Sequence, residues 1–204
     1  MAISVNEIFH KVGLNPKGPV KWNGEIEEKS SGVYLIALTD DPSSNESIAV
    51  DFGIDEMVFK DWLDKKTGLK ICENEVKKLQ EIEKYLLSKW HPNQNILYIG
   101  ETKTNLRTRI KSFYNYKVGN SGPHSGGYWL KLLSCLENTF IYYAKSDLSR
   151  ETEFKMLLHF IELLSDNNLY DISEPAKYLP FANLKVDVTK LNDIKKAFKR
   201  KKVI

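Results

Sequence analysis

Long apolar runs are missing from this chain of 204 residues: no stretch approaches the roughly 18–20 uninterrupted apolar residues that cross a bilayer, so no membrane partner is expected. The N-terminus MAISVNEIFH also lacks the basic-then-apolar layout of a signal peptide, and a cytoplasmic location is expected. Cysteine is scarce. Cys72 and Cys135 lie far apart, with no C-x-x-C and no Cys/His pairing at zinc-ligand spacing, which excludes a disulfide scaffold and a zinc module. Net charge is scarce too, since 30 basic against 27 acidic side chains leave only +3. Whole-chain charge therefore gives no argument for a polyanionic partner. No internal repeat is present, and the single low-complexity stretch is the terminal Lys-Arg-Lys-Lys. What remains is an ordinary soluble composition, 42% hydrophobic and 28% charged, in a length that fits one unit over residues 1–204 at roughly 100–200 residues per domain.

The charge is unevenly placed. Residues 41–95 carry 11 acids against 8 bases, a net of −3, whereas residues 96–124 carry five bases against Glu101, a net of +4. Residues 190–204, a basic C-terminal tail, carry seven bases against Asp193, a net of +6. Two positive patches of this kind favour a polyanion through salt-dependent contacts.

Three short apolar runs read as strands: residues 33–38, entered through Gly32; residues 96–99, stopped by Gly100; and residues 139–144, rich in aromatic and β-branched side chains. Helical patterns fall at 104–117, 126–136 and 150–165, the last with Ser149 as its N-cap. Residues 41–95 form an insertion between the first two strands. Amphipathic helices are expected there at 55–66 and 73–89, with Leu79, Ile82, Leu86 and Leu87 as the apolar stripe of the second and Trp62 and Trp90 as large packing faces. The expected fold is α/β of the α+β type: a small three-stranded, mainly antiparallel sheet flanked by helices, with a helical insertion. The insertion's apolar faces would pack inward, dock a partner, or pair two copies of the chain as a homodimer.

On a wheel of about 100° per residue, Glu153 falls near the middle of the apolar face of the last helix, among Phe154, Met156, Leu157, Phe160 and Ile161. Glu151, Lys155, His159 and Glu162 fall on the opposite, wet side. An inward carboxylate needs a cation, a metal or a hydrogen-bond network, because leaving it buried and unpaired costs several kcal/mol. On the 104–117 helix, Arg107 and Arg109 both flank the core residues Leu106, Ile110 and Phe113, and either could offer a guanidinium fork to a phosphate. Tyr34 and Tyr98 lie in the first two strands, each near a glycine.

Gly32-Val33-Tyr34 and Tyr98-Ile99-Gly100 resemble the paired signature of the GIY-YIG nuclease superfamily, and residues 106–114 look like its first helix. That alignment selects Arg109. Glu153, with Met156 and Leu157 three and four positions on, matches the family's glutamate, and Pro180-Phe181-Ala182-Asn183 resembles the Pro-x-x-Asn segment of many members. The resemblance spans residues 20–40 and 95–183. It departs in three places: 63 residues separate Tyr34 from Tyr98, Glu101 follows the second signature's glycine, and Phe113 stands where members carry tyrosine or histidine.

The resemblance implies a DNA endonuclease hydrolysing phosphodiester bonds, with Glu153 as the one protein ligand of Mg²⁺ or Mn²⁺; these residues do not distinguish restriction, repair, homing and mobile-element roles, among which a restriction-like one is preferred. It implies that Arg109 stabilises charge at phosphorus and that Tyr34 or Tyr98 activates the water, with Tyr34 preferred as base; His124, in the Gly-rich stretch 122–127, is read either as an aid to proton transfer or as a solvated loop residue. Tyr114, Tyr116 and His124 are the candidates to replace the residue missing at Phe113. The rival reading is an inactive nucleic-acid-binding or scaffolding module on the same fold, favoured by Glu101 and Phe113.

Overall fold

The computed structural model describes residues 1–49, 52–65, 70–71, 74–75, 78–118, 129–165 and 175–183. Its elements run α1 (Val5–Lys11), β1 (Lys17–Lys21), β2 (Gly32–Ala37), α2 (Glu56–Lys65), β3 (Lys70–Ile71), β4 (Asn74–Glu75), α3 (Leu79–Leu87), β5 (Ile96–Thr102), α4 (Leu106–Asn115), β6 (Phe140–Lys145) and α5 (Ser149–Leu164). Cys72, His124, the stretch 126–128 and the basic tail lie outside the described residues.

The class is mixed α and β, and the main sheet has four strands, not three, in the order β1-β6-β2-β5 with every neighbouring pair antiparallel. The additional strand, β1, reads Lys-Gly-Pro-Val-Lys and is almost wholly exposed. A polar strand containing proline is tolerated only at an edge, and no alternation of apolar residues marks it in sequence. The second strand runs on through Gly100 to Thr102, because its central apolar run is paired along its whole length with β2. A two-residue hairpin pair, β3 with β4, stands where the start of the 73–89 helix was expected. In place of the helix expected over 126–136, the described part holds short 3₁₀ turns at Trp129–Leu132 and Leu136–Asn138.

β2 is fully buried because the sheet is covered on both faces, which explains why its apolar run does not alternate. Val33, Leu35, Ile99, Tyr142 and Ala144 pack with Ile8 and Phe9 of α1 and Met156, Leu157 and Phe160 of α5. Tyr34, Ile36, Tyr98 and Ile141 face the other way, toward Leu106, Ile110 and Phe113 of α4 and toward the insertion's Ile54, Phe59, Trp62, Ile82 and Leu86. Trp62 meets Trp129 edge-on at 5.8 Å. Leu87, expected in that apolar stripe, is instead exposed, being one position past the buried Leu86 at the last turn of α3. Buried Asn95 ties the insertion to the sheet, accepting from Ile48 N–H at 2.9 Å and donating to Glu46 C=O at 2.7 Å.

Two details of α5 differ from expectation. Leu148 is its N-cap, and Ser149, the first helical residue, donates its hydroxyl to Glu101 Oε2 at 2.7 Å. His159 is buried, not wet: α1 packs against that side of α5, and His159 Nδ1 lies 3.6 Å from Glu162 Oε2. A helix wheel cannot foresee a second neighbour whose own sequence is not recognised as a helix. Burial holds the His159 pKa below its ordinary value, against the opposing effect of Glu162.

Candidate functional site

Adjacent antiparallel strands bring the two signature tyrosines together. Tyr34 is paired across the ladder with Gly100, and Ile36 with Tyr98, so both phenols stand on the α4 face as a diagonal pair, offset by two residues along the strands. Their ring centroids are 5.8 Å apart. Gly100 is required by this proximity: a Cβ there would come within 2.6 Å of Tyr98 Cε1 and 2.9 Å of the Tyr34 hydroxyl. Gly32 is required for another reason, since its Cβ would lie 2.2 Å from Ala144 C=O on the neighbouring strand and 2.7 Å from Leu106 Cδ1. The glycines that mark the two tripeptides are thus steric necessities of the sheet and its tyrosine pair.

α4 supplies the cation. Asn105 caps it, its Oδ1 accepting from Thr108 N–H at 2.9 Å, and Leu106, Ile110 and Phe113 bury its inner face. Arg109 lies near the phenols, close enough for its charge to lower the Tyr34 pKa against burial, and its Nε is buried with no partner among the described residues. Arg107, two positions earlier, turns to the other flank and pairs with Glu25. Phe113 walls the cluster, its ring 6.0 Å from that of Tyr98.

Glu153 completes the group from α5. It is 6% exposed, and its negative charge raises the pKa of both phenols, which places it in electrostatic reach of each. Burial pushes both tyrosines up first. For Tyr34 the nearby Arg109 charge and the Tyr98 hydroxyl pull back down, whereas for Tyr98 the Tyr34 and Glu153 charges add to burial and hold it well above the ordinary range. The two phenols are therefore inequivalent. Of the two, Tyr34 lies under the stronger influence of the Arg109 charge.

The Pro-x-x-Asn segment has a mechanical part. Asn183, 6% exposed, accepts from Ile99 N–H at 2.9 Å and donates to Ile99 C=O at 2.7 Å, while Ala182 N–H donates to Leu97 C=O at 2.8 Å. It caps the free edge of β5 and fixes the strand between Tyr98 and Gly100. Glu101 alternates to the opposite face of β5, where Ser149 engages it, so its carboxylate is directed away from the phenols. Tyr114 and Tyr116, considered as replacements for the residue at Phe113, line a groove on the Arg107 flank of α4 instead. His124 lies outside the described residues.

Among the described residues no group of three or more His, Cys, Asp or Glu side chains could hold a metal ion. Glu153 is thus a carboxylate within electrostatic reach of two phenols, with no cluster of further acids or histidines around it among the described residues. That donor set suits a hard cation retained by water and substrate oxygens, and does not suit a tightly bound structural metal. Among the described residues no helix is long and apolar enough to cross a membrane. No family model matches the sequence, and no curated protein and no solved structure matches it. The likeness to GIY-YIG nucleases therefore rests on the motif residues of the sequence.

Proposed function

We propose that this chain is a metal-dependent DNA endonuclease of the GIY-YIG type, hydrolysing phosphodiester bonds in the cytoplasm. The observation that carries the reading is that Arg109 and Glu153 both act electrostatically on the Tyr34 and Tyr98 pair, although the four residues come from four separate elements, β2, β5, α4 and α5. A structural role alone gives no reason to bury an arginine nitrogen without a partner next to two phenols.

Glu153 would hold Mg²⁺ or Mn²⁺, which when bound polarises a phosphate oxygen and neutralises charge on the leaving group. Arg109 aims its guanidinium donors at the charge that develops on the phosphate, a role worth about 3–4 kcal/mol when preorganised. Tyr34 accepts the proton of the attacking water in its phenolate form, which the Arg109 charge favours, and becomes the neutral phenol, while the Tyr98 ring packs beside it. Asn183 keeps the strand bearing Tyr98 in register. With Glu101 turned toward Ser149, one of the two features that favour an inactive module loses its force.

The test is nicking of supercoiled plasmid with and without Mg²⁺, with Glu153→Ala alongside. The reading expects Mg²⁺-dependent nicks from the wild type and none from the variant. A wild type as inert as Glu153→Ala on supercoiled, linear and branched DNA would overturn it.

A further inference from the structure

On the flank of α4 away from the phenols lies a hollow of about 360 Å³, floored by Trp22 and Tyr114 and edged by Tyr116, Lys117 and Lys131. A second hollow of about 470 Å³ shares Asn23 and Tyr114 with it and carries Arg107, Lys111 and Asn115. The two make one groove along the outer side of α4.

Lys131 is the odd residue in it. Its ammonium sits 4.8 Å over the Trp22 ring and donates to Tyr114 C=O at 2.8 Å, and no carboxylate among the described residues lies within ion-pair distance. Burial lowers its pKa to about 8, against the pull of Glu137, so at neutral pH it remains mostly a cation with two N–H donors unused. Tyr114 adds a hydroxyl that is buried and has no hydrogen-bond partner among the described residues, in the same cavity wall. The groove therefore joins an unpaired positive charge and an unused hydroxyl to aromatic rings. Two acids stand at its rim, Asp61 and Glu137, and Glu137 accepts weakly from Asn23 Nδ2 at 3.4 Å.

We propose that this groove holds an unpaired nucleotide of a single-stranded nucleic acid, its phosphate on Lys131 and its base against Tyr114 and Tyr116, with Lys111 and Lys117 flanking the backbone. The inference rests on the nuclease reading for its ligand class, and it makes that class more specific: DNA with a single-stranded segment beside the cut. A concave site with an aromatic floor takes a splayed base, which stacking holds whatever its identity. An intact duplex presents only its convex backbone to such a hollow.

The experiment is fluorescence anisotropy of a labelled 12-nucleotide single strand and of the corresponding blunt duplex on the full chain without divalent metal, with plasmid nicking measured in parallel. The expected result is at least fivefold tighter binding of the single strand, a loss of tenfold or more in Lys131→Met, and a threefold loss in Tyr114→Phe. Lys131→Met is expected to keep its melting temperature, since burial already opposes the ammonium. Tyr114→Phe removes one oxygen and serves if Lys131→Met does not fold. Equal affinity for both DNA forms, or unchanged single-strand affinity in the folded variants, overturns the groove assignment even where nicking persists. Conversely, loss of single-strand binding in the variants of a protein that never nicks would sustain the groove and sink the nuclease reading.

Discussion

The two flanks of α4 put nearly identical side chains to different uses. Arg107 stands at the surface, 41% exposed, and meets Glu25, which is 69% exposed. A pair so wet contributes little, about 0–1 kcal/mol. Arg109 stands two residues on, with its Nε buried and unpaired and its charge acting on Tyr34. The difference comes from the partners that the sheet supplies. One flank meets the segment that carries Glu25, at the surface. The other faces β2 and β5, where Tyr34 and Tyr98 are buried. The lesson is that the chemistry of a guanidinium is set by what is desolvated around it, and a step of 200° on a helix is enough to change it.

The comparison can be broken in several ways, the largest effect first. Glu153→Gln and Arg109→Ala are expected to lower the single-turnover nicking rate by at least about 10²–10³-fold. Gly100→Ala should cost about 10²-fold without unfolding the chain, because its methyl would force the Tyr34 and Tyr98 rings apart. With Tyr34 as base, and its pKa raised by burial above the ordinary value of 10, the ionised fraction grows about tenfold per pH unit throughout the neutral range. The rate should therefore climb with that slope between pH 7 and 9, and Tyr34→Phe should abolish the slope; a profile that falls over this interval would remove Tyr34 from the role.

Smaller effects test the frame around the site. Asn183→Ala strips both hydrogen bonds from Ile99 and leaves a buried N–H and C=O unpaired, a loss of about 2–4 kcal/mol in urea unfolding. Arg107→Ala, on the other flank, should change the nicking rate by less than about threefold, in keeping with a rim charge. A large loss there, with Arg109→Ala unaffected, would reverse the assignment of the two arginines.

Much of the site was legible because its signals are local. Glu153 on an apolar helix face and tyrosines beside glycines in apolar runs are departures from pattern that need a cause, and the tight approach at Gly100 supplies it. Periodicity alone could not separate Arg107 from Arg109, since both flank the same core residues; the resemblance to a family motif did. β1 was not legible, because its five residues carry no apolar alternation and include Pro19. The burial of His159 and the turn of Glu101 toward Ser149 were hidden for a different reason. Each depends on a tertiary neighbour, α1 in one case and the start of α5 in the other, that no window of sequence contains.

The central claim is that Tyr34 and Arg109 act as one unit, and a double-mutant cycle on the single-turnover nicking rate tests it most directly. The account predicts that Tyr34→Phe with Arg109→Ala is no more than about threefold slower than the worse single variant, since removing either already disables the pair. A double variant whose loss equals the product of the two single losses, or a wild type without Mg²⁺-dependent nicking, would contradict it.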